Sequence, residues 1–140
     1  MIGVIFGEKG TGKTKRILHL ANKAAKEAKG SVVFIDNDTR YMYDLSSTIR
    51  FINATEYGIR SPKMLYGLLC GLSAQDFDLE YIFIDGFLNF VQHDIRTLEG
   101  LFESMAAYSE RHHVSIVISI TDKASGLPSY IEKLLLPADE

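Results

Sequence analysis

The sequence is short of several things, and each shortage excludes a class of protein. One cysteine, Cys70, excludes an intramolecular disulfide and fits a reducing compartment. No segment approaches the 18 consecutive apolar residues of a membrane-spanning helix. The opening "MIGVIFGEKG" carries neither a basic n-region nor a small-residue cleavage site, so a soluble, cytoplasmic chain is expected. Positive charge is also scarce. A net charge of -3 and a pI near 5.8 give no support to a dominant nucleic-acid footprint, which needs a basic domain. Histidines 19, 93, 112 and 113 show no metal-ligand spacing. Repeats, low-complexity tracts and linkers are missing, so the 140 residues read as one domain with a single continuous core.

What is present alternates between strand and helix. "IGVIF" (2–6) is an apolar run of strand type. Over residues 13–29, Ile17, Leu18, Ala21, Ala24, Ala25 and Ala28 recur at helical spacing, with Lys15, Arg16, Lys23, Lys26 and Glu27 forming a solvated opposite face. Gly30 stands where a C-terminal cap belongs. "SVVFID" (31–36) reads as a strand buried on both sides, and "TIRFIN" (48–53) as another strand. Ser61 and Pro62 provide an N-cap and first helical residue ahead of Met64, Leu65, Leu68, Leu69 and Leu72. Cys70 falls on this helix as a passive residue. "EYIFIDGF" (80–87) is a buried strand, residues 94–112 an amphipathic helix, "VSIVISIT" (114–121) a strand, and "PSYIEKLL" (128–135) a short last helix. Strands alternating with helices imply an α/β class, three-layered, with a mostly parallel sheet.

The stretch that carries chemistry is Gly7–Thr14, "GEKGTGKT". Gly7, Gly12, Lys13 and Thr14 meet the pattern G-x-x-x-x-G-K-[ST] between a strand and a helix, which is the context this phosphate-binding loop needs. At average residue frequencies the pattern arises by accident in well under ~1% of chains this long. The glycines, Gly10 among them, permit backbone conformations and close approach that side chains block. Backbone N–H groups of Gly7, Glu8, Lys9, Gly10, Thr11, Gly12, Lys13, Thr14 and Lys15 can then surround phosphate, helped by the positive end of the following helix. Lys13 would reach the β/γ-phosphates and the Thr14 hydroxyl would hold Mg²⁺. Asp85, ending "YIFID", is the candidate second metal-side group, the Walker B position. In open α/β sheets ligands lie at the carboxyl ends of the strands, which sets Asp36, Asp38, Asp85 and Thr121 on one rim with the loop.

Taken together, "GEKGTGKT", "SVVFIDND", "YIFIDGF" and "VISIT" resemble the nucleotide-binding core of P-loop ATPases of the RecA-like kind. That family carries a glutamate in a segment F-I-D-x-E that acts on the attacking water. Asp38 of Phe34-Ile35-Asp36-Asn37-Asp38 falls on that position, one methylene shorter. The family's polar sensor, after the Walker B strand, matches Ser119 or Thr121 by position. The resemblance implies ATP and Mg²⁺ as ligands, with Lys13, Asp38, Asp85 and Thr121 in catalytic roles and Thr14 and Asp85 at the metal. It also implies an arginine supplied in trans by another copy or a partner, or one of Arg40, Arg60, Arg96 and Arg111, among which the sequence does not choose.

Other readings stay open. A nucleotide or small-molecule kinase would use the same loop, with 38–50 the one place for a lid. A nucleotide-dependent switch would bind without efficient hydrolysis. "TDKAS" (121–125) does not supply the N-K-x-D base motif of GTPases, which favours ATP over GTP. Phe87 and Phe90 of "DGFLNFVQH" suit either the core or a partner or base-stacking surface. His112-His113 reads as a helix-to-strand junction.

Overall fold

Apolar residues with little polar alternation form the strands, and helices cover both of their faces. The computed structural model describes residues 1–137. Five strands, β1 (Ile2–Gly7), β2 (Ser31–Asp36), β3 (Arg50–Asn53), β4 (Leu79–Ile84) and β5 (Ser115–Thr121), make one sheet in the order β1-β5-β4-β2-β3. Every pairing is parallel. This is the α/β architecture expected of the sequence.

Parallel neighbours require long crossovers; those here are helical except the β2–β3 connection, which holds only a 3-10 turn at Met42–Asp44. Helix α1 (Lys13–Glu27) links β1 to β2 and lies on one face with Ile17 and Ala21 fully buried. Helices α2 (Pro62–Gln75) and α4 (Glu99–His112) cover the other. The two-residue period of the strands divides the core accordingly. Val32, Phe34, Phe83 and Val117 pack under α1. Val33, Ile35, Ile82, Ile84, Ile116 and Ile118 pack under α2 and α4. Between those two helices the buried Tyr108 hydroxyl donates to the Leu69 carbonyl at 2.7 Å and pairs with Ser73 Oγ.

Several local expectations are corrected. Helix α1 ends at Glu27 with the extended Ala28 as its cap, so Gly30 is not the cap. Glycine serves a different need there, since a Cβ on Gly30 would sit 1.8 Å from the Asp78 carbonyl oxygen where β2 meets β4. The span 94–112 is two elements. Asp94 caps a 3-10 turn at Ile95–Thr97, and α4 begins only at Glu99. Strand β3 starts at Arg50 after a turn closed by Ile49 N–H to Ser46 O (3.0 Å). Strand β4 ends at Ile84, and Gly86 turns the chain into a short α3 (Phe87–Phe90) whose Phe87 and Phe90 are core. The last helix, α5, covers only Ser129–Glu132. Beyond it Leu134 O accepts from Val4 N–H (2.8 Å) and Leu136 N–H donates to Val4 O (2.9 Å). That added segment shields the β1 edge, which would otherwise present unpaired groups. The expected Ser61 cap is present, its Oγ accepting from Met64 N–H at 3.2 Å. His113 is the junction residue after α4, with φ 56°.

Candidate functional site

The carboxyl ends of β1, β2, β4 and β5 open on a cavity of about 440 Å³. Lys9, Gly10, Gly12, Lys13, Thr14 and Lys15 form one wall. Asp36, Asn37, Asp38, Arg40 and Tyr41 face them, with Asp85, Gly86, Asn89 and Thr121 between.

Local geometry explains the glycines of the first wall. Gly10 and Gly12 both have φ 83°, a left-handed conformation that other residues adopt at a cost. Gly7 is tight for another reason, because a Cβ there would approach Thr11 Oγ1 to 2.6 Å. Thr11 Oγ1 donates to Glu8 O at 2.8 Å, and Lys13 Nζ donates to the same carbonyl at 2.6 Å. Glu8 and Thr11 therefore brace the loop from within and are not among the residues lining the cavity. Helix α1 starts at Lys13, and Arg16 N–H to Gly12 O (3.1 Å) is an early bond of its ladder. The first N–H groups of a helix have no partner within it, and the first turn of α1 holds no acid to occupy them. The result is a positive helix end beside Lys9, Lys13 and Lys15. Desolvation holds the Lys13 ammonium below its usual range, against the opposing pull of Asp85.

The acidic wall follows from strand register. Phe34 and Phe83 are register partners on the α1 face, so Asp36 and Asp85, each two residues on, rise side by side above them. Asp85 is 6% exposed, and Ser119 Oγ donates to its Oδ1 from the next strand. Asp36 is 3% exposed. Its Oδ1 accepts the Asn37 N–H at 2.7 Å, and its Oδ2 has no partner. Burial pushes the Asp36 carboxyl up to about 7, with Asp85 and Asp38 adding to the rise and the Asn37 N–H and Arg40 opposing it. Gly86 makes this closeness possible. Its φ is 64°, and a Cβ would lie 2.2 Å from Asn37 Oδ1 and 3.2 Å from Asp36 Oδ1.

Of the anticipated positions, Lys9, Gly10, Gly12, Lys13, Thr14, Lys15, Asp38, Asp85 and Thr121 are brought to one cavity. Ser119, the other sensor match, lies beneath the surface as the hydrogen-bond donor to Asp85. Asp38 Oδ1 accepts from Arg40 N–H at 2.9 Å, which ties that carboxylate into its own turn. Among the four arginines left open, only Arg40 lines the cavity, while Arg96 is paired with Asp94 at 2.9 Å. Sequence reasoning had Asp36 on the rim without a role, and it missed Asn37, Tyr41 and Asn89. A signal for Asp36 existed: it continues the Val32–Phe34 alternation beneath α1, so its carboxyl had to follow those apolar side chains onto a buried face.

No family model matches the sequence, and no curated protein does. Among solved structures the chain is similar to flagellar accessory protein FlaH from Methanocaldococcus jannaschii, with a TM-score of 0.57 and 13% identity. The match covers 94% of this chain, which spans 65% of the length of that one. Likeness at this identity is a likeness of fold: an α/β/α, RecA-like architecture built on a parallel sheet.

Proposed function

We propose that the chain binds ATP with Mg²⁺ at the β1–α1 loop and acts as a P-loop ATPase. The observation that carries this reading is the cavity itself. It sets a cationic wall of glycine loop, helix end and lysines against a wall of carboxylates, on a scale that suits a phosphate chain and its counter-ion.

In this reading the N–H groups of residues 9–15 hold the phosphate chain, and Lys13 leaves the Glu8 carbonyl to meet the β- and γ-oxygens. The residues that fit Mg²⁺ are Thr14 and Asp85, the latter fixed by Ser119. Mg²⁺, when bound, neutralises charge that develops on the transferred phosphoryl group. Asp38 positions water, Thr121 marks the γ-phosphate side, and Arg40 is the arginine in place within the chain. Adenine is preferred because the base motif of GTPases is missing from 121–125.

A second reading, a switch that binds without efficient turnover, is favoured by one contact. The Asp38 carboxylate is shorter than the glutamate of the resembled family and is engaged with the Arg40 N–H. The FlaH likeness carries no role to this chain.

Calorimetric titration of ATP and GTP with Mg²⁺, paired with phosphate release at several protein concentrations, separates these readings. ATP should bind, and Lys13→Ala should weaken it about 100-fold, as loss of charge-assisted hydrogen bonds requires. Undetectable affinity of the native chain for either nucleotide would overturn the proposal. Binding without phosphate release selects the switch.

A further inference from the structure

The proposed metal side of the cavity leaves one group unexplained. Asp36 Oδ2 is the unpartnered oxygen of a carboxyl that is 3% exposed and lines the phosphate cavity. Beside it, directly after the neighbouring strand β4, stands Asp85, also buried, its N–H donating to Ile35 O at 2.9 Å. Adjacent strands are about 4.8 Å apart, and the two acids each follow the last β2–β4 register pair, Ile35 with Ile84, so the two acidic groups lie close together. Buried carboxylates are tolerated when paired or when they hold a cation. No ion pair serves Asp36 among the described residues, where Arg96–Asp94 is the only one found. Lys13 Nζ is taken by Glu8 O and Thr11 Oγ1.

The surroundings keep the carboxyl in place. Asn37 N–H fixes Oδ1, while Phe34 and Phe83 fill the space beneath. Gly86, which lacks a side chain, lets Asn37 and Asp36 close on the Asp85 turn. Only Oδ2 is left without a partner, on a residue that lines the cavity. Asp85 differs in that Ser119 occupies its Oδ1.

We infer that Asp36 is a further carboxylate of the divalent-cation site, holding the ion of a bound nucleoside di- or triphosphate, directly or through water, together with Asp85 and Thr14. This rests on the nucleotide-binding reading. It departs from the sequence-based assignment, which placed only Thr14 and Asp85 at the metal.

The test uses Mn²⁺ and ADP on the intact chain, with bound Mn²⁺ read by electron paramagnetic resonance and ADP affinity in EDTA by calorimetry. Asp36→Asn should lower Mn²⁺ affinity at saturating ADP by about 10- to 100-fold. Metal-free ADP affinity should hold or rise, because a negative charge leaves the phosphate cavity. Asp36→Cys is the second variant. It should lose Mn²⁺ similarly yet take Cd²⁺ better than Asp36→Asn, since thiolate prefers the softer ion and both variants retain Cys70. Mn²⁺ affinity within twofold of native in Asp36→Asn overturns the inference. So does a native chain that binds ADP in EDTA without tightening by Mn²⁺, although nucleotide binding then stands. A native chain that binds no ADP under any condition overturns both.

Discussion

Replacing Asp36 by Asn should stabilise the metal-free protein at pH 8 and leave it unchanged near pH 4. In the unfolded chain the carboxyl loses its proton at the ordinary 3.8, whereas burial holds it on in the folded protein up to about 7. Between those two values the folded state binds more protons than the unfolded one, so stability falls as pH rises. Below 3.8 the acid is neutral in both states and costs nothing. Above about 7 it is ionised in both, and the full penalty applies. Each pH unit of that gap is worth 1.36 kcal/mol, which sets a ceiling of about 4 kcal/mol. The cavity is open to water, which screens the charge, so about 2 kcal/mol is the expected gain. Asn keeps the shape and carries no charge. Urea unfolding in EDTA at pH 4, 6 and 8, with unchanged m-values, measures the difference. A variant less stable than native at pH 8, or a gain as large at pH 4 as at pH 8, refutes the reasoning. The same substitution that weakens the cation site should thus relieve the folded protein of a buried charge.

Three other outcomes are expected. Asp38→Asn should suppress phosphate release while leaving nucleotide affinity within about twofold; unchanged steady-state turnover removes Asp38 from the chemistry. Gly86→Ala should cost about 1–3 kcal/mol in urea unfolding, because φ 64° is strained for alanine and the new methyl meets Asn37 Oδ1. Tyr108→Phe should cost about 1 kcal/mol by removing the hydroxyl that links α4 to the Leu69 carbonyl and Ser73 Oγ of α2, and a neutral result shows water taking over those bonds.

Legibility in the sequence tracked how local each signal is. The loop at Gly7–Thr14 is contiguous, its glycines are needed for backbone reasons, and the following helix begins within it at Lys13. Buried parallel strands betray themselves by unbroken apolar runs, and "SVVFID" matches β2 residue for residue. Ends were harder. Gly30 looked like a helix cap because caps and close approaches both demand glycine, and only the Asp78 carbonyl distinguishes them. Residues 94–112 kept helical spacing across a break at Leu98 that Asp94 sets by capping the turn before it.

The sequence by itself determined the α/β alternation, the phosphate-type loop and a set of acids at strand ends. Each follows from chain periodicity or from the conformational freedom of a few neighbouring residues. Only the tertiary structure decided which acids meet. Asp36 and Asp85 are 49 positions apart in the chain, and they become neighbours because β2 pairs with β4 rather than with β1. Their burial, and the unpartnered oxygen of Asp36, come from the same event: packing the sheet under α1 removes water from a row of side chains whose last members are charged.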